Sequence, residues 1–227
     1  MSDVLAHALS LLAPPLCAAC AGPAAPSEVL CARCERGLIQ VRPLSVLIPG
    51  IDEALAAAPY EGIARQLVGA LKFRGRLSVA TPMALAIAAA IELDAGAALV
   101  PVPPAPRRRR NRGFDPAEEI ARALSELAGA PLLRCLRRAD GPRQVGRARH
   151  ERLVSPPRVR ASGSVPAAVV LVDDVVTTGA TLGACALALR TAGAISVRAV
   201  VFARSVGAFR SPRTSPVAAL GGSADRA

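Results

Sequence analysis

Two apolar periods alternate along this chain. Ile63, Leu67, Val68 and Leu71 recur at the spacing of one helix face, whereas Val169-Val170-Leu171-Val172 is an unbroken apolar run. Such a run suits a central strand covered on both faces. Ala54–Ala58 reads as a weak strand, Ser78–Glu92 as a helix after Pro82, and Ala97–Val102 as a strand closed by Pro103 and Pro104. A helix opens at Asp115 or Pro116 and runs to about Leu127. Proline fits its first turn, and Glu118 and Glu119 complement its positive end. Ala180–Ala192 forms a further helix with Gly193 as its C′ residue, and Ile195–Ala203 a further strand. Residues 2–13 form a short helix with Ser2 as N-cap, stopped by Pro14 and Pro15. Residues 17–36 are a loop module and 41–52 a linker or edge strand. Residues 134–164, rich in Arg, Gly, Pro and Ser, form a long loop, and 206–227 a disordered tail. Strands alternating with helices predict an α/β domain with a mainly parallel sheet flanked by helices.

Composition changes this picture in two ways. Apolar residues make up 52% of the chain, but only Tyr60, Phe73, Phe114, Phe202 and Phe209 are aromatic, so Ala, Val and Leu must build the core. The net charge of +11 is concentrated: residues 101–160 alone carry +9. That excess favours an anionic ligand or partner near the middle of the chain, although a bias toward arginine codons produces the same balance. No stretch reaches the roughly 18–20 apolar residues of a membrane span. The start of the chain lacks a basic region and a cleavage site. A cytoplasmic protein is expected, with cysteines serving as metal ligands or buried thiols before disulfides.

The segment Val169–Thr181 carries the most chemistry. Asp173 and Asp174 follow the apolar run at a strand's carboxyl end, where open α/β sheets bind ligands. Backbone N–H groups of Thr177, Thr178, Gly179, Ala180 and Thr181 then converge at a helix N-terminus and cradle an anion. The threonine hydroxyls add donors, and Gly179 lets the backbone approach closely. Two vicinal hydroxyls can donate to the two carboxylates, so a ribose 5-phosphate matches the whole segment. A strand, turn and helix with a capping threonine is the plainer alternative. No Gly-Lys-Ser/Thr is present, which argues against a Walker-type nucleotide loop.

The pairs Cys17-x2-Cys20 and Cys31-x2-Cys34 point four thiolates at one centre, which suits a closed, structural Zn²⁺ site. An iron–sulfur cluster or four unrelated thiols are the alternatives. Cys135 and Cys185 lack paired neighbours and read as structural.

The string Asp173–Thr181 resembles the binding signature for phosphoribosyl pyrophosphate (PRPP) in type I phosphoribosyltransferases. By resemblance, Thr177–Thr181 hold the 5-phosphate, and Asp173 and Asp174 the ribose hydroxyls. Taken with the four cysteines, Leu71-Lys72-Phe73, Pro101-Val102-Pro103, Arg112-Gly113-Phe114-Asp115 and Gln144…Arg152, the chain is similar to the ComF/GntX group of competence-related, phosphoribosyltransferase-like proteins. Asp115 stands where that group has Asn, and Ser155 lies near the place of a further Asn.

The resemblance implies a zinc module in residues 1–45, a phosphoribosyltransferase-like domain in 46–205 and a tail in 206–227. It also implies PRPP with Mg²⁺ as ligand. Lys72, Arg112, Arg147 and Arg152, with backbone amides after Val102, are candidates to neutralise the departing pyrophosphate. Arg107–Arg110 reads as a solvated charge run, Gln144–Arg152 as a lid, and His7 and His150 as bystanders. Two functions follow as expectations, with PRPP sensing in regulation as a third reading. One is a pentosyl-transferring enzyme of nucleoside metabolism or DNA uptake. The other is a non-catalytic module that binds single-stranded DNA or docks to a competence helicase. Scarce aromatic residues argue against a stacking platform for single strands.

Overall fold

The computed structural model describes residues 15–92, 96–138 and 157–205. The expected helix at 2–13, the tail after Ser205, and Gln144, Arg147, His150, Arg152 and Ser155 lie outside the described residues.

One five-stranded sheet organises the chain, in the order β1-β2-β7-β6-β3. Its strands are β1 (Leu44–Ser45), β2 (Glu53–Pro59), β3 (Ala98–Pro101), β6 (Ala168–Val176) and β7 (Ser196–Arg204). All neighbours pair in parallel except the short edge strand β1. Register aligns Val172 with Pro101 on one side and with Val200 on the other. The carboxyl ends of β3 and β6 therefore open side by side.

Alternation along β6 divides the core. Val170 and Val172 join Leu99, Val200 and Phe202 on one face, and Val169 and Leu171 join Val100, Ala199 and Val201 on the other. The first face is covered by helices α2 (Gly62–Arg74), α3 (Ala80–Ala88) and α5 (Pro116–Ala128). Phe202 is fully buried there among aliphatic residues, with Tyr60 and Phe114 packed against the same cluster. The second face is covered by α6 (Ala180–Thr191) and by an antiparallel ribbon of β4 (Leu136–Arg138) and β5 (Val159–Ala161).

Several local expectations change. The carboxylates do not follow a strand that stops at Val172; β6 continues to Val176, because Asp173, Val175 and Val176 still pair with β7. The segment 134–164 is not a loop throughout, since its ends pair as β4 and β5. Their apolar residues Leu136 and Val159 pack with the second core face, a tertiary contact without a local period. The cysteine segment is not entirely loop: helix α1 (Ala32–Ile39) begins within it. The charge run forms helix α4 (Pro106–Arg112), with Pro106 in its first turn and Gly113 closing it at φ 78°. The helix expected to reach Glu92 ends at Ala88, and a 3-10 turn over Leu77–Val79 precedes it. Gly193 does follow α6, in positive φ.

Among the described residues no helix is long and apolar enough to cross a membrane.

Candidate functional site

The carboxyl ends of β3 and β6 open into a cavity of about 310 Å³. Its floor is Asp173 and Asp174 from β6 and the backbone of Val102–Ala105 after β3; Thr177 and Thr181 close one side. Lys72 comes from the last turn of α2, Arg108 and Arg112 from α4, Arg138 from β4, and Asp115 from the start of α5. Five separate elements thus supply four cations and three carboxylates to one hollow.

Burial governs the electrostatics. Lys72 Nζ lies 2.5 Å from Asp174 Oδ2, with both side chains largely covered. Asp174 Oδ1 accepts from the Val175 N–H, and the buried Oδ2 is left to the Lys72 ammonium. Burial lowers the Lys72 ammonium to about 8, although the Asp173 carboxylate favours its charge. Burial also raises Asp173 to about 7, against the pull of Lys72 and Arg138. Asp115 is raised to about 7 by burial as well, despite backbone N–H groups of Ala117 and Glu118 that favour its anion. It also caps α5, its Oδ1 accepting from Ala117 N at 3.1 Å. Burial and mutual repulsion with Arg108 lower Arg112, and the same two causes lower Arg138.

Beside this cavity the turn between β6 and α6 encloses a hollow of about 40 Å³, bounded by Asp173 and by Val175 through Leu182. Asp173, Val175, Thr177 and Thr181 line both spaces, so the two are contiguous. Gly179 rather than a threonine is the N-cap of α6, at φ 75°. A Cβ there would stand 3.0 Å from Ile48 Cγ1, so a bare backbone is required on steric as well as dihedral grounds.

A larger groove of about 1040 Å³ runs between α6 and β5. Among the described residues its lining is mostly Ala, Gly, Pro and Leu with Arg158, Arg160 and Arg190, and none of them carries a carboxylate or sulfur. Chemistry, not size, singles out the smaller cavity.

The cysteine module sits behind Lys72. Cys17 N donates to Gly22 O at 2.8 Å and Gly22 N to Cys20 Sγ at 3.4 Å, which is a knuckle turn closed on sulfur. Cys31 is the N-cap of α1 and Cys34 lies in its first turn, where the helix dipole favours thiolates. The four sulfurs all lie within 4.8 Å of one another. A tetrahedron with metal–sulfur bonds of about 2.3 Å has edges of about 3.8 Å, and Cys20 Sγ and Cys31 Sγ stand 3.8 Å apart. The cluster therefore fits a single ion. Burial raises the Cys17 thiol, yet N–H groups of Cys20, Cys31 and Ala19 bring it down to about 6; burial and the other sulfurs push Cys34 up to about 12. Arg74 reaches the carbonyl of Ala18 and Arg76 that of Leu16, which ties the module to the end of α2.

Six of the expected ligand-binding residues meet at the main cavity: Lys72, Arg112, Asp173, Asp174, Thr177 and Thr181. Thr178, Gly179 and Ala180 face the adjoining hollow. Arg147 and Arg152 lie outside the described residues. Sequence reasoning missed Arg138, which has no local signal because it lies in a segment without apolar period. It also missed Arg108, masked by the arginine run around it, and a wall role for Asp115.

No family model matches the chain, and no curated protein does. Solved structures similar to it include an asparagine mutant of an invariant aspartic acid in HPRTs, at 16% identity and TM-score 0.34, covering 64% of this chain and 72% of that one. The corresponding glutamic acid mutant matches at 16% identity and TM-score 0.33, covering 64% and 74%. Trypanosoma cruzi hypoxanthine phosphoribosyl transferase matches at 16% identity and TM-score 0.34, covering 64% and 71%.

Proposed function

We propose that the paired hollows bind PRPP with Mg²⁺ and that the protein transfers its phosphoribosyl group to an acceptor. The observation that carries this is contiguity: a small anion cradle at a helix start opens directly into a cavity with carboxylates on its floor and four cations on its walls. A 5-phosphate fits the cradle, ribose hydroxyls donate to Asp173 and Asp174, and pyrophosphate lies toward Lys72, Arg108, Arg112 and Arg138. The oxygen donors of Asp173 and Asp174 suit Mg²⁺, which when bound with PRPP spreads the charge of the leaving group. An acceptor lone pair forms the bond to C1 as the C1–O bond breaks, the electron pair leaves with pyrophosphate, and any proton on the attacking atom goes to solvent. Preorganised cations then carry most of the stabilisation. Arg147 and Arg152 are proposed to complete this wall.

Zn²⁺ is the ion proposed for Cys17, Cys20, Cys31 and Cys34, and residues 1–45, 46–205 and 206–227 are proposed as module, domain and tail, with the module lending β1 (Leu44–Ser45) to the edge of the domain's sheet. A role in DNA uptake rests on the motif resemblance. The exposed Arg107, Arg109 and Arg110 of α4 favour one second reading, a non-catalytic module that meets single-stranded DNA or its helicase.

Titration calorimetry with PRPP and Mg²⁺, together with pyrophosphate release over a nucleobase panel, tests the first reading. Binding is expected for wild type and a loss of about 100-fold or more for Asp173→Asn/Asp174→Asn, which removes charge-assisted hydrogen bonds worth about 1.5–3 kcal/mol each. Unchanged PRPP affinity in that double variant overturns it. Steeply salt-dependent DNA binding without turnover supports the second.

A further inference from the structure

One carboxyl of the main cavity has no counter-charge in contact. Asp115 is 8% exposed, and its Oδ1 accepts from the Ala117 N–H at the start of α5. Asp174 has the Lys72 ammonium beside it, whereas among the described residues Asp115 forms no ion pair. Arg108, Arg112 and the backbone of Val102–Ala105 line the same space. The Asp115 carboxylate favours the charge of Arg112, so the two are electrostatic neighbours. Asp115 therefore belongs with the cations read above as the pyrophosphate end.

An ionised carboxylate and a pyrophosphate repel when they share a hollow poor in water. A buried carboxylate without a paired cation is costly, and such a group neutralises itself by taking a proton. Burial moves Asp115 that way, to about 7, and Glu118 on its own helix and Asp173 on β6 push in the same direction. Asp174 is the third carboxylate of the cavity, and Lys72 on α2, Arg108 and Arg112 on α4 and Arg138 on β4 are its cations. Helix α3, which also covers this face of the sheet, carries no titratable side chain. In the neutral acid the two oxygens divide their roles. One still accepts from Ala117 N, and the hydroxyl on the other becomes a donor. Donors are what a pyrophosphate needs.

We propose that Asp115 is a substrate-binding residue that meets the pyrophosphate group as a neutral acid and donates its O–H to a phosphate oxygen. This rests on the reading of the main cavity as the PRPP site. The proton comes from solvent and stays on Asp115 while the ligand is bound. Ligand binding above neutral pH thus takes up a proton at this residue. An ionised Asp115 that held a second Mg²⁺ would have the opposite sign.

Calorimetry of the full-length protein counts these protons. PRPP with Mg²⁺, and separately inorganic pyrophosphate with Mg²⁺, are titrated in two buffers of unlike ionisation enthalpy. At pH 8 wild type should take up about one proton more than Asp115→Asn. Protons exchanged by the ligand, Asp173 and Lys72 are common to both proteins and cancel. Asn caps a helix as well as Asp does, and its amide donates at every pH. Asp115→Asn should therefore bind within about threefold of wild type at pH 6. At pH 8.5 it should bind about tenfold tighter or more, because wild-type affinity falls about tenfold per pH unit once Asp115 is ionised. Asp115→Ser keeps a capping oxygen but is too short to donate into the cavity, and should weaken both ligands about tenfold at pH 6. PRPP binding with equal proton counts in wild type and Asp115→Asn overturns the inference and leaves the PRPP reading standing. A lower count in wild type, with Asp115→Asn the weaker binder at pH 8.5, assigns the carboxylate to a metal ion and also overturns it. Asp115-dependent uptake with pyrophosphate, but no binding of PRPP, keeps the donor and removes the transferase reading. Binding of neither ligand at any pH overturns both.

Discussion

The ligand cavity and the cysteine cluster are neighbours built on opposite principles. In the cavity, cations and carboxylates already face one another, and Lys72 and Asp174 form a buried pair. In the cluster, four sulfurs gather around one centre with backbone N–H groups beside them, and two of the sulfurs are buried. The first arrangement is self-neutralising and stands without a ligand. The second crowds like groups, and the ion proposed for it would reconcile them. Three consecutive residues at the end of α2 connect the two: Lys72 lines the main cavity, Phe73 lines a second cavity with Asn111 and Phe114, and Arg74 holds the carbonyl of Ala18 in the cysteine module. Successive helical positions project about 100° apart, so one turn can address three sites at once.

Removing the metal should break this comparison most severely. Structural zinc binds with apparent free energies of about 10–16 kcal/mol. Chelation or Cys34→Ser should therefore lower the melting temperature by roughly 10 °C or more, at about 2–4 °C per kcal/mol for a chain of this size. PRPP affinity should fall with it, because Arg74 and Arg76 lose the module that anchors the end of α2. Metal analysis beside calorimetry checks both. Metal-free protein with unchanged melting and affinity contradicts the link.

Breaking the pair in the cavity comes next. Asp174→Ala leaves the covered Lys72 without its nearest counter-charge, and removing one partner of a buried pair costs about 3–5 kcal/mol. Asp174→Leu combined with Lys72→Met should recover most of that stability in denaturant titration yet bind no PRPP. A double variant as unstable as the single one shows that the pair is not the source.

Gly179→Ala should cost about 1–2 kcal/mol for the left-handed backbone alone, with a further contribution from the approach to Ile48. It should also weaken PRPP, because the turn it distorts is the proposed phosphate cradle. Calorimetry with PRPP beside denaturant titration reads both losses.

A slope with pH tests the electrostatics of the cavity. Asp173 and Asp115 titrate near 7 in the fold, against about 3.9 in an unfolded chain. The folded state thus holds more protons across that window, and stability falls as pH rises from about 4 to about 7. Lys72 acts later: its folded value of about 8 lies below the usual 10.4 or so, and stability recovers between them. Thermal melts of ligand-free protein should show both limbs. Asp173→Asn should flatten the first, and an unaltered slope argues that Asp173 is not the group concerned.

Much of the architecture was legible in the chain. The apolar run Val169–Val172 marked the central strand because burial on both faces leaves no polar position. Asp115 and Pro116 marked a helix start because capping and a fixed φ act locally. The cysteine pairs marked a cluster because their spacing alone forms a knuckle. The ribbon of β4 and β5 escaped notice, since its strands pair across a long gap and pack on α6 without a period of their own.

By itself, then, the sequence determined the strand that carries Asp173 and Asp174, the glycine turn after it and the four-sulfur cluster, all set by contacts within a few residues. Only the tertiary structure decided that Lys72 meets Asp174, that Arg138 joins them, and that Phe73 and Phe114 share a cavity. Those pairings join side chains from α2, β4, β6 and the link between α4 and α5. The packing of helices on a twisted sheet places them, and no local pattern encodes that packing.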